Sequence, residues 1–373
     1  MGAIYEIGAL CALEEAIEGL DCTACDGYIG VSAGGFIAAG LANGLSPRQL
    51  CAAFIENSAE AATDSFDPAH LLYPAWDEYG ARLRLLPKLL AKACWETLVE
   101  GRSLLGALER LGRALPTGLL SSDALGEQLQ RQFARPGRSN DFRELKQRLV
   151  LVATDLDSGE ATPFGMPGWD HVPISRAVQA SAALPGLFPP VEIGGRHYVD
   201  GALKKTIHAS VLLHEGLDLL ICLNPLVPYQ AESAELPRLV DGGLPLVLSQ
   251  TFRSLIHSRL ELGMKGYQRS HPETDILLFE PDPRDAEIFM ANTFSYSQRR
   301  HLAEHAYQAT REALRTRAAK LGAQLQRHGL ALRPEVLANR ELHLLPPPDR
   351  TRTEAALSRL RGALDTLEAR YAA

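Results

Sequence analysis

The chain has 373 residues, 46% of them hydrophobic and 22% charged, and a formal net charge of -7. Such a chain can bury a large core, either as one large α/β domain with appendages or as two domains. The mildly acidic balance argues against a nucleic-acid partner, which calls for a clustered basic face, but it does not exclude a membrane partner, because bilayer contact depends on a local patch.

Residues 1–20 carry Glu6, Glu14, Glu15 and Glu18 and lack the basic start of a secretion signal. No uncharged apolar run reaches the length of a membrane span. The six cysteines are Cys11, Cys22, Cys25, Cys51, Cys94 and Cys222. Cys22-Thr-Ala-Cys25 has C-x-x-C spacing, but a helix-like stretch precedes it and a strand follows, the reverse of a redox motif. No second ligand pair stands at zinc spacing, so the expectation is structural thiols, no metal, no cofactor and a cytoplasmic home.

In chain order, residues 3–19 read as a helix with apolar positions at helical spacing. Asp26 to Ser32 reads as a strand running into a turn, and 35–45 as a small, apolar helix packed on a sheet. Residues 46–63 follow as a helix with Ser46 as N-cap and Pro47 at its first position. Residues 64–80 read as a loop, 81–115 as strongly helical and 121–135 as a shorter helix. Leu149 to Asp155 is a buried strand by its β-branched run. A helix over 174–183 leads to a proline-bounded loop, and 191–199 fits a hairpin turning at Gly194-Gly195. Residues 217–224 and 275–279 are strands, 243–270 and 297–328 helices. A last helix over 351–371 carries Leu357, Leu360, Leu364 and Leu367 on one face, with core as its default role. Buried strands separated by helices predict a three-layer α/β/α fold with a mostly parallel central sheet and a helical C-terminal extension.

Gly30-Val31-Ser32-Ala33-Gly34 is G-x-S-x-G between a predicted strand and a predicted helix. That is the setting of a nucleophile elbow, in which a sharp, strained turn exposes the serine. The helix behind it favours negative charge, and the Ala33 N–H is a natural oxyanion donor. The alternative is a glycine-rich turn whose serine caps the helix. Only one helix precedes this serine, which argues against a Ser-His-Asp hydrolase, although His208, His214 and His257 follow later in the chain. Asp200-Gly201 ends the predicted hairpin. Asp200 is either an ordinary turn residue or, at a strand end free to approach another loop, the base that takes the serine proton.

Five stretches together resemble the patatin-like phospholipase family: GAIYEIGALCALEE at 2–15, YIGVSAGGFIAAGLANG at 28–44, LVATDLDSGEATPFG at 151–165, ASAALPGLFPPVEIGGRHYVDGAL at 180–203 and LLICLNP at 219–225. They stand in the family's order. The resemblance implies Ser32 as nucleophile and Asp200 as base, with no histidine and no metal in the mechanism. It also implies oxyanion and substrate-binding backbone around Gly2, Gly30, Ala33, Gly34 and Gly201. The substrate it implies is a phospholipid or other glycerolipid, cleaved by a phospholipase A or lysophospholipase type of reaction.

Gly2 matches the last glycine of the family's G-G-G-x-[RK]-G stretch, and the preceding glycines and strand have no counterpart in this sequence. Weak or absent activity is therefore expected of the chain as written. The expected organisation is a catalytic core over 1–225, a helical cap insert over 64–120 and a mainly helical region over 226–373 packing on the core. Arg82, Arg84, Lys88 and Lys92 alternate with leucines and Trp95, which fits either a solvated cap helix or a peripheral membrane contact. Two further readings stay open: a catalytically impaired lipid-binding or scaffold protein, and a Ser-His-Asp esterase.

Overall fold

The computed structural model describes residues 2–56, 73–98, 112–204, 209–213, 216–230, 239–290 and 296–345. The first part of the chain forms α1 (Gly2–Ala16), β1 (Ile17–Glu18), β2 (Gly27–Val31), α2 (Ala33–Ala42), α3 (Pro47–Cys51), α4 (Trp76–Leu98) and α5 (Asp123–Phe133). The middle forms β3 (Arg148–Asp155), β4 (Ala161–Phe164), α6 (Ile174–Ser181), β5 (Val191–Ile193), β6 (Arg196–Asp200), α7 (Ser210–Leu213) and β7 (Leu219–Leu223). The remainder forms α8 (Gly243–Ser270), β8 (Asp275–Phe279), α9 (Ala286–Met290), α10 (Tyr296–Thr316), α11 (Ala318–Gln326), β9 (Ala331–Leu332) and α12 (Pro334–Ala338).

β2 and β3 pair in parallel, with Val31 opposite Val152. β6 runs antiparallel to β3 on its other side, with Asp200 opposite Ala153. β5 and β4 add antiparallel pairs to β6 and β3, so this sheet is mixed. β7 and β8, on either side of residue 225, form a second parallel pair. Leu149, Leu151 and Ala153 of β3 share a core with Ile37 and Ala38 of α2 and with Ala177 and Val178 of α6. One side of the β7–β8 pair packs Leu277 and Phe279 against Leu13 of α1, Leu314 of α10 and Leu321 of α11. Its other side meets Ala209, Leu213 of α7 and Tyr267 of α8. Helices thus cover both faces, as three-layer packing requires.

The C-terminal region is fastened to the N-terminal helix. A Cβ on Gly8 of α1 would stand 2.4 Å from the Ala303 carbonyl oxygen of α10, so only a glycine permits this approach. Arg311 of α10 is fully buried and donates to the carbonyls of Val336, Asn339 and Leu342, satisfying a C-terminal stretch with little regular backbone pairing of its own.

Several expectations change on folding. Ser46 forms a reciprocal capping box with Gln49, but α3 ends at Cys51 and a π-turn occupies Ala52–Glu56; residues 57–63 of that expected helix lie outside the described residues. The loop expected over 64–80 already becomes α4 at Trp76, where Asp77 and Glu78 enter the first turn and favour the helix N-terminus. The long helix expected over 297–328 breaks at Arg317, whose guanidinium donates to the Leu278 carbonyl at 3.1 Å and sits over the Phe279 ring. The leucine stripe at 357–367 lies outside the described residues, as do 99–111 of the expected cap. Among the described residues no helix is long and apolar enough to cross a membrane.

Candidate active site

Register brings the two sequence-predicted side chains together. Ser32 follows Val31 at the end of β2, Asp200 closes β6, and β3 lies between them. The backbones of Val31 and Asp200 are therefore about two strand spacings apart, roughly 10 Å, on neighbouring rungs. The gap closes because β6 turns inward at Gly201. A Cβ there would stand 2.2 Å from the Val152 carbonyl oxygen and 3.1 Å from Val31 Cγ1. Bare backbone lets the Asp200 loop cross the end of β3.

Ser32 has φ 56° and ψ -129°. It is the one non-glycine residue with positive φ among the described residues. Such a conformation costs about 1–3 kcal/mol and persists only where the surroundings over-determine it. Three contacts do so here. The Ser32 N–H donates to Ser181 Oγ at 2.9 Å, and that hydroxyl donates in turn to the Val152 carbonyl at 2.6 Å. The Gly35 N–H donates to the Ser32 carbonyl at 3.0 Å. Gly30 lies so close that a Cβ would fall 2.4 Å from Gly35 Cα. Ser32 makes no side-chain capping bond to α2, so its hydroxyl is left for other work.

Asp200 is 2% exposed. Its Oδ1 accepts from the Ala202 N–H at 2.9 Å, and its carboxyl also has the Ser32 hydroxyl within hydrogen-bonding reach. Burial pushes the carboxyl up to about 6, opposed by those two hydrogen bonds. Raised to that level, the group is a better base than a solvated aspartate and still ionised near neutrality.

Ser32, Ala33 and Gly34 line a cleft of about 490 Å³ that also receives Gly2, Ala202, Asn224 and Pro225. A Cβ on Gly2 would approach Ala33 Cβ and Pro225 Cγ at 3.3 Å, so the start of α1 sits directly against the elbow. The Ala33 N–H belongs to the first turn of α2, where no intrahelical acceptor exists. Of the histidines considered from sequence, His257 lies 3.6 Å from Glu261 and from Glu280, and His208 and His214 lie outside the described residues. Cys22 and Cys25 are free thiols, and the Cys22 carbonyl accepts from the Tyr28 hydroxyl.

Two residues of the site escaped sequence reasoning. Ser181 is a fully buried serine among alanines, and a buried hydroxyl needs partners; that was its only signal. Glu6 lines the cleft from α1 at 7% exposure, and its one sequence signal was a carboxylate inside an otherwise apolar helical stretch.

A family model described as patatin-like phospholipase matches residues 1–213. The chain belongs to the patatin-like phospholipase family, a family of lipid acyl hydrolases built on an α/β/α core. Among solved structures, VipD from Legionella pneumophila matches at 16% identity with a TM-score of 0.35. That match covers 84% of this chain, which spans 65% of VipD, and a likeness of this size carries no argument about activity.

Proposed function

We propose that this protein hydrolyses acyl esters of glycerolipids through a Ser32–Asp200 dyad. The observation carrying this reading is a strained serine that lines a largely apolar cleft and whose hydroxyl reaches a buried carboxyl. In the forward step Ser32 Oγ attacks the ester carbonyl carbon while Asp200 takes the hydroxyl proton. The carbonyl oxygen becomes an oxyanion, held by the Ala33 N–H and the N-terminal end of α2. Collapse of the tetrahedral intermediate breaks the ester C–O bond, and Asp200 returns the proton to the departing alcohol. Water, deprotonated by Asp200, then attacks the acyl-serine carbonyl; the C–Oγ bond breaks, Asp200 returns the proton to Ser32 Oγ, and the fatty acid leaves.

The approach to lipid falls to α4. Trp76, Leu83 and Trp95 are 71%, 66% and 62% exposed, beside Arg82, Arg84, Lys88 and Lys92. Exposed tryptophans with cations on one helix suit a peripheral contact with an anionic surface. The base of α4 is tied down: Glu78 accepts from the Thr117 N–H and hydroxyl, and the Leu119 and Leu120 N–H groups donate to the Leu187 carbonyl.

The test is labelling with a fluorophosphonate, followed by release of fatty acid from mixed phospholipid vesicles. Label on Ser32 that is absent from Ser32→Ala, with fatty-acid release lost in Asp200→Asn, supports the reading. Equal label or release in wild type and Ser32→Ala sinks it.

A further inference from the structure

On the hydrolase reading above, Glu6 has a part of its own at the same site. Glu6 stands one helical turn beyond Gly2 and lines the same cleft as Ser32, Ala33 and Gly34. It is 7% exposed, and its Oε2 has no hydrogen-bond partner. A buried carboxyl left unpaired is costly and calls for an explanation. Its Oε1 lies 3.2 Å from the point a Cβ on Gly34 would occupy, so the group rests against the first turn of α2. The bare backbone of Gly34 makes that approach possible.

The first turn of α2 is also where an oxyanion on a Ser32 adduct has to be held. Its N–H groups lack intrahelical acceptors and carry the positive end of the helix dipole. A carboxylate at Glu6 and an oxyanion at Ser32 would be two negative charges drawing on one helix terminus in a largely apolar cleft. A neutral carboxyl has no such conflict, and its O–H can donate.

We propose that Glu6 is a positioning acid for the oxyanion site: protonated, it leaves the α2 terminus to the tetrahedral intermediate, and ionised, it occupies that terminus with negative charge and suppresses attack by Ser32. Burial pushes this carboxyl up to about 7, with the amino-terminal charge pulling in the opposite direction. The elements packed on α1 bring Arg48 on α3, Glu18 on β1, Glu335 on α12, and Arg299, Arg300, Glu304 and His305 on α10, while α2 carries no titratable side chain. Tyr28 and Cys222 share the cleft, and Glu280 and Asp285 act on the neighbouring Tyr5; none of these shifts Glu6. With Asp200 active when ionised, above about 6, and Glu6 permissive when protonated, below about 7, the reaction has a narrow bell-shaped dependence on pH.

The experiment follows the rate of Ser32 labelling by a fluorophosphonate from about pH 4.5 to about pH 9 in the wild-type protein and in Glu6→Gln. The wild type is expected to gain rate through about pH 6 and then lose about tenfold per pH unit above about pH 7, as one deprotonation dictates. Glu6→Gln is expected to keep the acid limb and stay level on the alkaline side, because the amide cannot ionise. In parallel, infrared difference spectra should show a protonated-carboxyl band that titrates with the wild-type alkaline limb and is missing from Glu6→Gln. A wild type with no alkaline limb, or a Glu6→Gln protein that retains one, overturns the proposal while leaving the hydrolase reading intact. An infrared titration far from the kinetic limb overturns it as well, even where Glu6→Gln does not fold. No labelling of Ser32 at any pH overturns the hydrolase reading and this one with it.

Discussion

The Ser181 hydroxyl joins the Ser32 N–H, at 2.9 Å, to the Val152 carbonyl, at 2.6 Å, so one buried side chain on α6 fixes the turn between β2 and α2 to the middle strand of the sheet. Ser181→Ala removes this bridge and leaves two buried backbone groups without it. The expected cost is about 1–3 kcal/mol in urea unfolding. The fall expected in kcat is larger in consequence, roughly 10- to 100-fold with KM little changed, because the nucleophile rather than the lipid contact is misplaced. Unchanged kcat in a destabilised variant would reduce Ser181 to a purely structural role.

The strain at Ser32 separates activity from stability. Ser32→Gly relaxes a positive-φ position at no steric cost, so the variant should take no fluorophosphonate label and yet be more stable by about 1 kcal/mol. Calorimetry on wild type, Ser32→Ala and Ser32→Gly checks the order, with the glycine variant highest.

Two glycines in the same turn should behave in opposite ways. A Cβ on Gly30 would fall 2.4 Å from Gly35 Cα, whereas one on Gly35 would find its nearest neighbour at 3.6 Å, in ordinary contact. Gly30→Ala is expected to lose about 3 kcal/mol, and Gly35→Ala to gain roughly 0.5–1 kcal/mol from better helix propensity. Denaturant midpoints of the two variants, measured side by side, decide this.

Asp200 and Glu6 make stability depend on pH. Each has a folded value raised above its ordinary one, from 3.8 to about 6 and from 4.5 to about 7. The stability each contributes is fully present below its unfolded value and is lost as pH rises through the folded one. A shift of this size corresponds to about 3 kcal/mol per group. Asp200→Asn should therefore remove roughly half of the loss between about pH 4 and pH 6, leaving the share due to Glu6, and be more stable than wild type at about pH 8. Urea unfolding at both ends of that window tests the sign.

The exposed face of α4 predicts adsorption to anionic vesicles. Trp76 and Trp95 should shift their emission to the blue on vesicles rich in anionic lipid, and the shift should fade as salt screens the lysines and arginines. Leu83→Glu should weaken co-sedimentation with vesicles while leaving the fluorophosphonate labelling of Ser32 in solution near the wild-type rate.

Much of the fold was written locally. The buried run Leu149 to Asp155 fell on β3, the Gly194-Gly195 turn separated β5 from β6, and G-x-S-x-G met a strand and a helix at the expected places. Period, turn chemistry and glycine placement are short-range properties, which is why a sequence can state them. It stated the ends of helices less well, because Arg317 leaves its helical course for a carbonyl and a ring on β8, a distant segment. Only tertiary structure decided that Val31 lies opposite Val152 and Asp200 opposite Ala153, the two registers that bring Ser32 and Asp200 to one spot. Only tertiary structure placed Ser181 beneath the elbow and Glu6 against α2. Register, burial and unpaired polar atoms arise from contacts between segments far apart in the chain, and the local pattern holds no record of which segments will meet.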